Sequence, residues 1–229
     1  MGSHQENWFY NQLSQSSKRG ATWRIIGSQV IFSQIGSSGD NWNGYIANRN
    51  RTLQHLYENG IGNNIFLAGD SHQNWVSDVT WLGKEPYDSR TGEGSIGVEF
   101  AGTAVSSSGP GGLIDASIER ARKQVEANEV LQWQEGYYRG YFVLSIRHNE
   151  VTAQFFGSPS VATRNAWELP LANFTVLAGE NHLLRPVAGG GVEAGFLRGG
   201  KTTGTNVTLD TSKGVWDIVG FEEMYIPRN

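Results

Sequence analysis

Near residue 130 the sequence changes character, and that change limits the folds open to it. Before it, segments of helical and strand periodicity alternate. Residues 5–19 carry Trp8, Phe9 and Leu13 at helical spacing and run up to Gly20, a C-cap residue. Residues 23–32 (WRIIGSQVIF) predict a buried strand interrupted by Gly27, and residues 36–44 a loop. Residues 48–59 predict a short helix with Leu53 and Leu56 inward, stopped by Gly60. Asn64–Ala68 is a short apolar run that stops at Gly69-Asp70, and residues 96–101 predict another buried strand. Residues 113–128 give the longest helix, with Leu113, Ile114, Ile118, Ala121 and Val125 on one face.

After this point the pattern is β. Residues 140–148 and 150–157 predict two strands joined by a tight turn near Asn149. From Ser158 the chain is rich in Gly, Thr and Val, with breaks at Pro159, Pro170 and Pro186. The expected organisation is therefore an α/β unit over residues 5–157 and a β-rich extension over residues 158–229 that packs on or caps it.

Composition narrows the function classes. The 229 residues include eight Trp, ten Phe and eight Tyr, enough apolar area to exclude a disordered acidic chain. A net charge of −4 gives no basis for nucleic-acid binding. No run approaches ~18 consecutive apolar residues, so no transmembrane segment is expected. Cysteine is absent, which removes disulfides, Cys-zinc sites, iron–sulfur clusters and Cys nucleophiles. The opening Met1-Gly2-Ser3-His4 reads as a cloning remnant, with neither the basic nor the apolar region of a signal peptide. Three sequons, at Asn50, Asn173 and Asn206, are candidate glycosylation acceptors.

The stretch richest in chemistry is residues 64–75, NIFLAGDSHQNW. An apolar strand delivers Gly69-Asp70-Ser71-His72 at its carboxyl end, where ligands of α/β sheets gather. On an extended backbone Asp70 and His72, two apart, point the same way, and Gly69 permits a tight turn. A carboxylate with an imidazole is a donor pair for iron, manganese or zinc, with calcium alongside. The plainer alternative is a solvated Asp and a hydrogen-bonded His at a strand end.

Residues 69–75 resemble the G-D-x-H-x-x-W signature of the PhoD-like alkaline phosphatases, a branch of the metallophosphoesterases. Three further pieces agree in order. Trp8-Phe9 to Leu13 with residues 23–30 (WRIIGSQV) is similar to the family's W-x-x-x-G-x-Q-V segment. Residues 40–45 (DNWNGY) resemble its D-x-W-D-G-Y loop. Val98-Glu99-Phe100 with residues 102–107 (GTAVSS) resembles its V-E-F…T-x-[ST]-S segment. The resemblance covers roughly residues 5–157.

It implies a two-sheet sandwich with flanking helices and metal-dependent hydrolysis of phosphate mono- or diesters, with iron and calcium as the metals. It makes Asp70 and His72 catalytic metal ligands and Asp40 a further candidate. Asn43 stands where the family has Asp, and its carbonyl could still meet a hard cation. Trp42, Tyr45, Trp75 and Thr103 become candidates for substrate contact. The family's upstream ligand motifs and N-terminal β-sandwich are absent from these residues, so the chain is expected to be a C-terminal half. It would then be inactive alone, or completed by another chain carrying the first half or by a second copy. The sequons and the family's usual export point to a secreted glycoprotein.

Other features carry less. Residues 195–202 match G-x-x-x-x-G-K-[ST] letter for letter, but Gly-rich sequence precedes them and turn-and-strand residues follow, so no helix is expected to receive a phosphate. Residues 103–108 offer hydroxyls without a G-x-S-x-G elbow. His55, His148 and His182 read as structural or solvated. Core packing is the default for Trp42, Trp75 and Trp81. A reading from another class keeps the same residues as a non-catalytic, Gly- and Trp-rich carbohydrate- or protein-binding module; metal at Asp70 and His72 separates the two.

Overall fold

The computed structural model describes residues 1–36, 40–162, 164–203, 207–210, 215–218 and 224–225. A helix, α1 (Ser3–Lys18), leads to β1 (Arg24–Gly27); it begins inside the four opening residues. A single 3-10 turn over Trp42–Tyr45 runs into α2 (Ile46–Glu58). Then come β2 (Asn64–Ala68), β3 (Asn74–Val79), β4 (Gly97–Ala101), α3 (Ile114–Ala127) and β5 (Leu131–Glu135). The β-rich part opens with β6 (Arg139–Ile146), β7 (Glu150–Ser158) and β8 (Leu169–Leu177). Three two-residue strands follow: β9 (Gly191–Val192), β10 (Phe196–Leu197) and β11 (Lys201–Thr202). The strands β12 (Val207–Asp210), β13 (Val215–Ile218) and β14 (Met224–Tyr225) form their own antiparallel sheet.

The main sheet has the order β1-β2-β4-β3-β5-β10. Its first three strands are parallel, whereas β3 is antiparallel to β4 and β5. Period-two alternation sorts its side chains onto two faces. Ile65, Val76, Val98, Phe100 and Trp133 share one core with Val151, Phe155, Leu171 and Phe174 of the sheet β6-β7-β8. On the opposite face, Phe66 and Val79 meet Leu13 of α1 and Leu53 and Leu56 of α2. Ala68, Trp75 and Ala101 meet Val125 of α3 in a third cluster. Helices thus cover one face of the main sheet and a second sheet covers the other.

Two expectations change here. The strand expected over residues 23–32 ends at Gly27, because the chain turns away and Phe32 and Ser33 donate their amides to Glu99 on β4, at 2.7 and 2.8 Å. A boundary at residues 157–158 does not separate two sheets: β8 pairs along β7, and β10 pairs with β5 at the edge of the main sheet. The P-loop-like residues 195–202 form β10, a turn and β11, with no helix after them among the described residues.

Candidate functional site

Because β1, β2 and β4 are parallel, their carboxyl ends bring three loops to the same end of the sheet: residues 28–36, 69–73 and 102–109. Cross-loop bonds tie them together. The Ser28 amide donates to Leu67 O at 2.8 Å, and the Gly102 amide to Ala68 O at 3.0 Å.

The loop of residues 69–73 is not extended. Asp70 and His72 both have left-handed backbones, with φ of 67° and 55°. The conformational burden falls on them and not on Gly69, whose φ is not positive. A non-glycine residue in this region is uncommon, and two within three positions mark a backbone overdetermined by its surroundings. The surroundings are visible. The Ser71 amide bonds Gly69 O at 2.8 Å, and its hydroxyl accepts the Trp75 indole N–H at 3.0 Å. Asn74, at the start of β3, donates to Glu135 at 2.9 Å and accepts the Thr103 amide at 3.0 Å. Glu135 is fully buried and also accepts the amides of Tyr137 and Tyr138. Burial pushes its carboxyl pKa up, against the pull of those amide bonds.

Asp70 opens onto a cavity of about 310 Å³, whose lining includes Asp40, Asn41, Ile31, Ile35, Trp75 and Gln124. Two acidic residues, Asp40 and Asp70, both solvent-exposed, therefore line one half-open cavity. His72 follows in the same loop but is not among the residues that line this cavity. Its Nδ1 lies 2.6 Å from Ser108 O. A carbonyl only accepts, so Nδ1 carries a proton, and in the neutral ring Nε2 then keeps its lone pair. This is the tautomer a metal-binding histidine needs, fixed by its second nitrogen.

In kind, these donors suit a hard or borderline cation: two carboxylates and one free imidazole nitrogen. In number they fall short, since no group of three or more His, Asp or Glu among the described residues could hold a metal ion.

The other sequence candidates fall elsewhere. Asn43 is occupied: its Nδ2 donates to Ile35 O at 2.9 Å and its Oδ1 accepts the Arg49 guanidinium. A cation on that oxygen would face a neighbouring positive charge, so the residue anchors the loop. Trp42 and Tyr45 line a different and larger groove, about 870 Å³, between α1 and β1. Trp42 packs edge-on against Phe32 at 5.6 Å and donates its indole N–H to Ser28. Trp75 walls the Asp70 cavity, but only 9% of it is exposed. Thr103 has its hydroxyl buried with no partner.

Of the sequon residues, Asn173 is exposed on β8, and Asn50 lies half-buried within α2 with its side-chain oxygen enclosed. Asn206 lies outside the described residues. No helix among the described residues is long and apolar enough to cross a membrane. His55, His148 and His182 engage Ser14, Thr22 and Leu183 respectively, away from Asp70. Asn74, Glu135 and Arg139, which hold the loop in shape, carry no motif that singles them out in the sequence.

Comparison with known proteins follows the same lines. The family model for PhoD-like phosphatase matches residues 1–155. Alkaline phosphatase D of Bacillus subtilis (strain 168) is 28% identical over 174 residues, 72% of this chain and 28% of that protein. A solved structure described as the structure of PhoD superposes with a TM-score of 0.67 at 24% identity, over 88% of this chain and 37% of that one. The chain thus spans about a third of the length of these relatives.

Proposed function

This chain belongs to the PhoD-like phosphatase family, and from that premise we propose that it carries part of the centre of a metal-assisted phosphoric ester hydrolase acting on mono- or diesters. The observation that carries the reading is the pair of left-handed residues, Asp70 and His72, at the end of β2. They put a carboxylate and an imidazole in one loop, Asp70 lining a cavity that Asp40 also lines and His72 held at Nδ1 by Ser108 O.

In this reading the Asp70 carboxylate and His72 Nε2 hold the metal, with Asp40 as a further ligand and Asn43 as an anchor of the loop. When bound, such ions polarise phosphoryl oxygens and lower the pKa of bound water; calcium with iron is the combination we favour, with manganese or zinc as substitutes. The protein's own part is to hold the donors at fixed positions. Trp75, Ile31 and Ile35 supply an apolar wall that limits water. The Thr103 hydroxyl is buried, so in this reading Thr103 supports the cleft beside Asn74 and does not contact substrate.

The donor set is short, so the remaining ligands come in this reading from a further polypeptide segment of the same fold or from a second copy. The free edge of β1 supports this. Ile25 on that strand is exposed, and Trp8, Phe9 and Trp23 line the groove beside it. Parallel strands are seldom left uncovered in this way. Export is part of the proposal, with exposed Asn173 as its glycosylation acceptor.

The test is titration of the chain with manganese, followed by electron paramagnetic resonance, for the native sequence, Asp70→Ala and His72→Ala. It is paired with hydrolysis of p-nitrophenyl phosphate and its bis-ester at alkaline pH with calcium and iron. Binding that weakens at least about tenfold in both variants is expected. Unchanged binding in both would overturn the assignment and leave the binding-module class in its place.

A further inference from the structure

Arg139, the first residue of β6, is buried at 6% exposure, and every hydrogen bond of its guanidinium goes to a main-chain carbonyl. Nη1 donates to His72 O at 2.8 Å and to Ser107 O at 3.3 Å, while Nη2 donates to Gly136 O at 3.1 Å. Three segments distant in sequence meet on one planar cation. The fit is close: a Cβ added at Gly109 would lie 2.5 Å from Nη2.

Two of these contacts bracket the His72 ring. Its Nδ1 bonds Ser108 O, and Arg139 holds the carbonyl of His72 itself together with that of Ser107, the residue before Ser108. Residues 105–108 are otherwise exposed. The other fastenings of their loop lie earlier in it, at Thr103 to Asn74 and at Ala104 O, which accepts the Gly140 amide.

We propose that Arg139 is a positioning residue for His72: it locks residues 72 and 107 together, keeps Ser108 O on Nδ1, and so leaves Nε2 bare and aimed as a donor. The imidazole of a solvated histidine prefers its proton on Nε2, the wrong nitrogen for this task. The planar fork of the arginine spreads these bonds over two nitrogens; a lysine, whose three donors radiate from one nitrogen, cannot span the same carbonyls in that geometry. The consequence for metal binding rests on the functional reading above, whereas the effect on the tautomer does not.

The experiment reads the ring directly. Long-range proton–nitrogen correlation of the ¹⁵N-labelled chain, above the histidine titration range, assigns the His72 tautomer in the native sequence, in Arg139→Lys and in Gly109→Ala. The last keeps the arginine but puts a methyl group where its guanidinium lies, so the guanidinium must shift. The native ring is expected as Nδ1–H, and both variants shift towards Nε2–H. Manganese affinity falls about tenfold in each, as for lost outer-shell partners. A merely structural arginine would lower thermal stability and leave the tautomer alone. A native ring in the Nε2–H form, or variants that keep Nδ1–H, would overturn the proposal. A tautomer that shifts in a chain that binds no manganese would uphold the clamp and refute the metal reading. Should Arg139→Lys not fold, Gly109→Ala carries the test.

Discussion

Glu99→Gln tests how the wall of the candidate site is held. Glu99 sits in the middle of β4, between β2 and β3, at 1% exposure. Its two oxygens accept the amides of Phe32 and Ser33 at 2.7 and 2.8 Å, and this turns residues 28–36 onto the cavity that Ile31, Ile35 and Asp70 share. Even protonated, Glu99 keeps acceptor lone pairs on both oxygens, whereas glutamine has one oxygen, so one of the two amides loses its acceptor and meets an NH₂ group instead. A buried donor left unbonded costs about 1–3 kcal/mol. The pH dependence has a definite sign. Burial raises the Glu99 pKa from 4.5, against the opposing effect of the Phe32 and Ser33 bonds. The folded state therefore holds this proton more tightly than the unfolded one. The stability gained is complete below pH 4.5 and is lost as pH rises through the raised folded value. The substituted glutamine does not titrate, so native and variant should differ most on the acid side and converge towards higher pH. Glu135 is raised in the same direction, but it is common to both proteins and cancels in the difference. Urea unfolding followed by tryptophan fluorescence at pH 5, 6, 7 and 8 measures the gap. No loss at pH 5, or a gap that widens with pH, would refute the reasoning.

Asp70→Gly should separate stability from function. A left-handed backbone costs an L-residue roughly 1–2 kcal/mol, against roughly 0.5–1 kcal/mol for the extra chain entropy of glycine. The variant should melt at the native temperature or somewhat above it while manganese binding is lost; a clearly lower melting temperature would show that the Asp70 side chain stabilises the loop. Asp78→Ala should be severe, because Asp78 is fully buried and accepts from Arg185 at 2.5 Å, from the Leu183 amide and from Tyr87. Arg185 keeps the carbonyls of Ser89, Arg90 and Leu183, but the buried Leu183 amide and the Tyr87 hydroxyl lose their acceptor, at about 1–3 kcal/mol each, read as a fall in urea midpoint with an unchanged slope.

The parts of the fold legible in the sequence are those held by local pattern. β2 runs over Asn64–Ala68 as the apolar run does, and β6 and β7 meet at the turn near Asn149; α3 follows the expected stripe in Ala121 and Val125, whereas Leu113 precedes the helix and is exposed. β3 and β5 were not legible as strands. Both are buried throughout, yet they carry Asn74, Ser77, Asp78, Gln132, Gln134 and Glu135. Most of these residues are tolerated in a core because partners elsewhere in the chain satisfy them, Ser77 being the exception with an unpartnered hydroxyl. The partner of Asp78 is Arg185, 107 residues away, and no periodicity reports that.

The same distinction runs through the candidate site. Gly69-Asp70-Ser71-His72 was legible as chemistry, since its residue types and its place after an apolar strand are local facts. The shape of that loop was not. The extended reading puts both side chains on one side by strand alternation, whereas the structure reaches its geometry through two left-handed residues. Nothing in a four-residue stretch decides between these. What decides is the set of bonds from outside it: Gly102 to Ala68 O, Asn74 to Glu135, and Arg139 to His72 O. Two of the three end on main-chain carbonyls, which every residue possesses, so such an acceptor leaves no mark in the sequence. A motif can therefore name candidate donors while the residues that would orient them stay hidden until the backbone is folded.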